Sequence, residues 1–169
     1  VFPSLGLINQ YCNDYILSSN QPFQHEFENY ACMAFCSAKS HTSSTRTIHF
    51  TTKKKELVDF LHSTRNKIIL VTYQSFEKFI TICMGEYEKN NIMIDTLIFD
   101  EAHHIVGDTI QNIVFNNDEL DTIVKKTRFY TATPVNKNGV TMYDRDIPSA
   151  SDCGPLAYEY LYYQAVEDG

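Results

Sequence analysis

The stretch TLIFDEAHHIVG, residues 96–107, sets the apolar run Leu97-Ile98-Phe99 directly before Asp100, Glu101, His103 and His104. A short run of consecutive apolar residues that stops at charged ones is the pattern of a strand buried on both faces, as in a parallel sheet covered by helices. Ligands of open α/β sheets collect beyond the carboxyl ends of the strands, so these two carboxylates stand where chemistry is placed. The first suits Mg2+, a hard cation that takes oxygen donors and keeps several waters. The second is then free to orient a water and take its proton as that water attacks a phosphate. The competing reading is a polar strand end that caps a following helix.

Working outward, YACMAFCS (30–37), TIHFT (47–51), KIILVT (67–72), IDTLIFD (94–100) and TRFYTA (127–132) predict further short strands, rich in β-branched and aromatic residues. Between them, SLGLINQYCNDYIL (4–17), KKKELVDFLHST (53–64) and SFEKFITICMGEY (75–87) repeat apolar residues at helical intervals, the last with Ser75 as expected N-cap. Alternating strand and helix predict an α/β fold, a parallel sheet wrapped by helices. HTSSTR (41–46) reads as a polar loop, and residues 136–155 carry turn residues throughout, as a linker does. Beyond it LAYEYLYYQAVEDG (156–169) resumes an aromatic pattern.

A chain of 169 residues with 43% hydrophobic content is long enough for one ordinary globular domain. No apolar run reaches the roughly 18 residues of a membrane span, and the first residues lack a signal-peptide pattern, so a soluble, intracellular protein without a membrane partner is expected. The start at Val1 and the stop at Gly169 without a closing element suggest a fragment whose partner is the remainder of a longer chain. Five scattered cysteines argue against a disulfide framework. Cys32 and Cys36 have no second pair at zinc-ligand spacing, which favours buried thiols over a metal site. Net charge is −7, yet residues 37–67 hold seven basic side chains, Lys53, Lys54 and Lys55 among them, against Glu56 and Asp59. That cluster is either a solvated face or a phosphate-facing surface.

Asp100-Glu101-Ala102-His103 resembles the DEAH form of motif II in superfamily 2 helicases and translocases. Three further motifs stand in family order: VFPSLGLINQ resembles motif Ia at Pro3, Ser4 and Gln10, VTYQS resembles motif Ib at Thr72, Tyr73, Gln74 and Ser75, and Thr131-Ala132-Thr133 resembles motif III. The likeness is greatest to the restriction-subunit-like and viral-type members. It implies a RecA-like domain of the P-loop NTPase type over residues 1–135, a linker at 136–154 and the opening of a second RecA-like domain at 155–169.

The resemblance further implies ATP and Mg2+ as cofactors, with Asp100 holding the metal through water, Glu101 as catalytic base and His103 linking the nucleotide site to motif III through Thr131 or Thr133. His104 is assigned an outer or solvent-facing place. DNA or RNA is the implied partner, held through its phosphates by Pro3, Ser4, Gln10, Thr72, Tyr73, Gln74 and Ser75 with weak sequence preference. These contacts are expected on the opposite edge from the carboxylates, and simple helix capping is the alternative for Ser4 and Ser75. No glycine of the chain is followed by lysine, so the phosphate cradle of motif I is not in this sequence. Motifs IV to VI are not in it either, and the chain by itself is expected to be inactive. A non-catalytic nucleic-acid-binding module on the same scaffold is the alternative, and retention of Glu101 argues against it.

Overall fold

The computed structural model describes residues 1–17, 29–37, 41–42, 47–63, 66–105, 108–116, 118–135, 141–142, 153–154, 156–159 and 164. Its strands are β1 (Tyr30–Phe35), β2 (His41–Thr42), β3 (Thr47–Thr51), β4 (Asn66–Val71), β5 (Leu97–Phe99) and β6 (Thr127–Phe129). The helices are α1 (Leu5–Tyr11), α2 (Lys54–Leu61), α3 (Tyr73–Asn90), α4 (Asp108–Phe115) and α5 (Asp118–Ile123). A π-turn over Cys12–Ile16 extends α1, and a 3-10 turn over Ala102–His104 follows β5.

Four strands form one sheet in the order β2-β3-β1-β4, and β5 and β6 pair separately. All pairings are parallel except β2 with β3. Val1 and Phe2 join the two sheets. The Phe2 N–H donates to Val71 and its carbonyl accepts from Tyr73, while the Val1 carbonyl accepts from Asp100 and its amino group donates to Ile98. Both sets of bonds have parallel register, so β4, Val1–Phe2, β5 and β6 all run the same way. This is the expected RecA-like α/β arrangement, a parallel sheet flanked by helices.

Each face of the sheet has its own core. On one, α2, α3 and α5 bury Leu57, Phe76, Phe79, Ile80, Leu120 and Ile123 against Met33, Phe35, Val71 and Phe99. On the other, α1 and its π-turn bury Ile8, Cys12 and Ile16 against Ala34, Cys36, Ile48, Phe50 and Leu70. Two-sided burial accounts for the consecutive apolar residues in β1 and β4. Phe99 is the central piece, packed edge-on to Phe76 at 5.2 Å and stacked on Phe129 at 5.4 Å.

Several expectations need adjustment. The strand expected over 94–100 is confined to Leu97–Phe99 and that over 127–132 to Thr127–Phe129: the regular ladder stops where Glu101 turns into the left-handed region, its last bonds running from the Tyr130 N–H to Phe99 and from the Ala102 N–H to Tyr130. Ser75 is not the cap of its helix: α3 starts at Tyr73 with Thr72 extended before it, and Thr72 Oγ1 donates to Ser75 Oγ across 3.2 Å. At its other end Asn91 stops α3 in the left-handed region, φ 55°, its N–H bonded to the Tyr87 carbonyl. The stretch read as a loop at 41–46 holds the short antiparallel β2, and α4 and α5 were not foreseen. The linker and the second-domain opening fall largely outside the described residues. Of the linker, Met142 donates its N–H to the Pro134 carbonyl at 2.9 Å and Val135 bridges Thr141.

Candidate nucleotide and nucleic-acid site

Asp100 and Glu101 leave the carboxyl end of β5 into a turn stitched on three sides. The Asp100 N–H donates to Val1, the Ala102 N–H to the Tyr130 carbonyl at 2.8 Å, and the His104 N–H to the Glu101 carbonyl at 2.9 Å. Glu101 is held at φ 50°, ψ 52°, in the left-handed region. A non-glycine residue there costs of order 1–3 kcal/mol and persists only where its surroundings over-determine it. Both carboxylates are partly exposed, so they are open to solvent and to a ligand.

His103 ties this turn to the segment after β6. Its Nδ1 lies 2.9 Å from Thr131 Oγ1 and 3.3 Å from Glu101 Oε2. Thr131 Oγ1 also accepts the Thr133 N–H and lies 3.1 Å from the Thr133 carbonyl. The imidazole thus stands between the second carboxylate and the Thr-Ala-Thr turn, in contact with both. His104 is exposed, its ring 4.3 Å from that of His103.

Tyr73 belongs to the same cluster. It is buried, and its hydroxyl donates to the Asp100 carbonyl at 3.0 Å. Burial first, then the nearby Asp100 and Glu101 carboxylates, push the phenol up, which keeps it a donor. Its side chain therefore supports the carboxylate turn instead of facing outward, unlike the contact the motif letters suggest. The signal was weak: an aromatic residue at the end of an apolar strand, where an inward ring is the ordinary outcome.

Of the remaining residues that resemble motif positions, Pro3, Ser4, Thr72, Gln74 and Ser75 lie at the amino ends of two helices, and Gln10 lies near the carboxyl end of α1. Ser4 caps α1, its Oγ accepting the Leu7 N–H at 3.3 Å, with Pro3 half-buried before it and Gln10 exposed on the helix. Thr72 is buried, Gln74 exposed and Ser75 half-buried at the start of α3. The parallel Phe2–Thr72 bridge makes these two helix starts neighbours. The expected opposite edge is corrected here: parallel register from β4 through β6 puts Ser4, Thr72, Asp100 and Thr131 on one carboxyl edge of the sheet.

On that same edge, beyond β3, Lys53, Lys54 and Lys55 are exposed at the start of α2. Lys53 Nζ lies 2.8 Å from Glu56 Oε1, and Glu56 Oε2 lies 2.8 Å from His49 Nε2. Hydrogen bonds from Lys53, Thr51 and His49 hold the Glu56 carboxyl down at about 2.

Two carboxylates on adjacent residues fit a water-mediated Mg2+ site. Such an ion takes one or two protein carboxylates and completes its shell with water and substrate phosphate. Among the described residues no group of three or more His, Cys, Asp and Glu side chains is arranged as a closed metal cage. Among the described residues, also, no helix is long and apolar enough to cross a membrane. The family model for the res subunit of type III restriction enzymes matches residues 1–136. No curated protein and no solved structure matches the chain. A parallel α/β sheet with paired carboxylates at its carboxyl edge, together with a family match over most of the chain, places it in the type III restriction enzyme res subunit family of helicase-like, ATP-dependent nucleic-acid enzymes.

Proposed function

We propose that this chain supplies the water-activating and coupling half of an ATP-dependent DNA or RNA helicase or translocase. The observation that carries the reading is the contact of His103 with both Glu101 and Thr131, beside Asp100 at the end of β5. Asp100 would hold Mg2+ through water, and the ion would supply charge neutralisation at the transferring phosphate. Glu101 orients the attacking water and takes its proton. Thr131 and Thr133 face the nucleotide as motif III, and His103 links them to the carboxylates through its contact with Thr131. Residues 1–135 act as the ATP-binding lobe, and residues 155–169 open a second lobe after the 136–154 linker.

The nucleic acid lies along the same carboxyl edge, over the starts of α1 and α3, where Ser4, Gln74, Ser75 and backbone N–H groups meet phosphate, while Gln10 stands at the other end of α1. Lys53 to Lys55 extend that track. Three basic residues at the start of α2 oppose the helix dipole, a placement that favours an anion nearby.

The metal assignment is tested by Asp100→Asn in the complete enzyme. ATP hydrolysis should fall by about tenfold or more and recover in part as Mg2+ is raised, because the lost group is a metal-holding oxygen. An unaltered Mg2+ dependence would remove Asp100 from that role.

A further inference from the structure

We infer that Tyr73 is a positioning residue for the hydrolytic base: its hydroxyl sets the peptide unit between Asp100 and Glu101 and so places the Glu101 carboxylate, instead of meeting nucleic acid. The inference rests on the reading of Glu101 as base and deepens it. Tyr73 opens α3 and is buried, 8% exposed, whereas Gln74 beside it is exposed. Its ring stacks on Phe99, the residue before Asp100, with centroids 6.1 Å apart and planes at 26°. From there the hydroxyl donates to the Asp100 carbonyl at 3.0 Å, across 27 residues of chain.

That carbonyl and the Glu101 nitrogen belong to one planar unit, so holding the carbonyl sets the plane from which the Glu101 φ of 50° is turned. Beyond Glu101 the chain is held by the Ala102 N–H on the Tyr130 carbonyl and the His104 N–H on the Glu101 carbonyl. Among the described residues the Tyr73 hydroxyl is the donor to the Asp100 carbonyl. A residue with a side chain leaves the left-handed region unless both flanks are held, because its Cβ crowds the carbonyl there. Without the hydroxyl, the Asp100 carbonyl loses its donor and the peptide is free to turn. Glu101 then leaves its place 3.3 Å from the His103 ring, and the base no longer meets the water it must orient.

The test compares Tyr73→Phe with Glu101→Gln in the complete enzyme. Phenylalanine keeps the ring on Phe99 and removes the hydroxyl alone. The kcat for ATP hydrolysis should fall by about tenfold or more, with and without oligonucleotide alike, while the KM for ATP and the affinity for oligonucleotide stay within about twofold. Amide exchange at Ala102 and His104 should quicken by about tenfold while Leu97 exchanges as before, which marks a local opening of the turn. Glycine takes a positive φ without strain, so in a Glu101→Gly chain the same Tyr73→Phe change should leave exchange at Ala102 and His104 unaltered. Equal quickening in both chains would mean that the hydroxyl holds the fold and not the Glu101 backbone, and would overturn the inference. Weakened oligonucleotide binding with kcat kept would overturn it in favour of a nucleic-acid contact. Normal kcat beside an inactive Glu101→Gln overturns the inference alone, whereas a fully active Glu101→Gln removes the base and the inference with it.

Discussion

Glu101 carries the cost of the site's geometry. Its left-handed backbone is fixed by the bonds of Asp100, Ala102 and His104 around it, and the result is a carboxylate 3.3 Å from the His103 ring. The place of Asp100, Glu101 and His103 at the carboxyl end of a buried strand was legible in the sequence, because an apolar run followed by two acids and an imidazole marks that strand end; the roles proposed for them rest on the resemblance. Tyr73 was not, since four motif letters do not say whether a ring turns inward. His103 gives the residue-scale prediction. In the complete enzyme His103→Ala should leave hydrolysis without nucleic acid within about threefold of normal and cut the stimulation by nucleic acid by about tenfold, the range of an ordinary coupling free energy. Steady-state ATPase assays with and without oligonucleotide read the ratio; an unchanged ratio would mean that the Thr131 contact does not couple the sites.

Strand β5 holds the carboxylates in place through Phe99, which meets Tyr73, Phe76 and Phe129. Phe99→Ala should cost about 3–5 kcal/mol in urea unfolding, the range for removing a buried aromatic. Ile98→Ala, one residue away on a half-exposed face, should cost less than about 1 kcal/mol. Equal losses would contradict the described two-sided packing. The strands were readable because burial on both faces leaves uninterrupted apolar runs. Helices α4 and α5 were not: Ile110, Ile113 and Val114 have helical spacing, but the pattern lasts barely two turns before Asn116. The Ser75 cap was misplaced for a related reason, since a serine near a helix start can bond Thr72 from inside the first turn.

Across the molecule, the parallel register brings Asp100 and Glu101, Thr131, the two helix starts and the lysines of α2 to one edge, a convergence that depends on strand order and so could not be read from the linear sequence. If that edge carries nucleic acid, Lys54→Glu with Lys55→Glu should weaken oligonucleotide binding for all sequences and lower the salt slope by about 1 to 2. Lys53 is left intact because it pairs with Glu56. An unchanged slope would return the cluster to a solvated face. The central claim is that Glu101 is the base of an ATP-hydrolysing site, and single-turnover hydrolysis by the Glu101→Gln complete enzyme tests it most directly. Glutamine keeps the size and one oxygen but cannot take a proton, so ATP should still bind with Mg2+ while turnover falls by about a hundredfold or more. Hydrolysis at the unsubstituted rate, with ATP bound as tightly, would contradict the account.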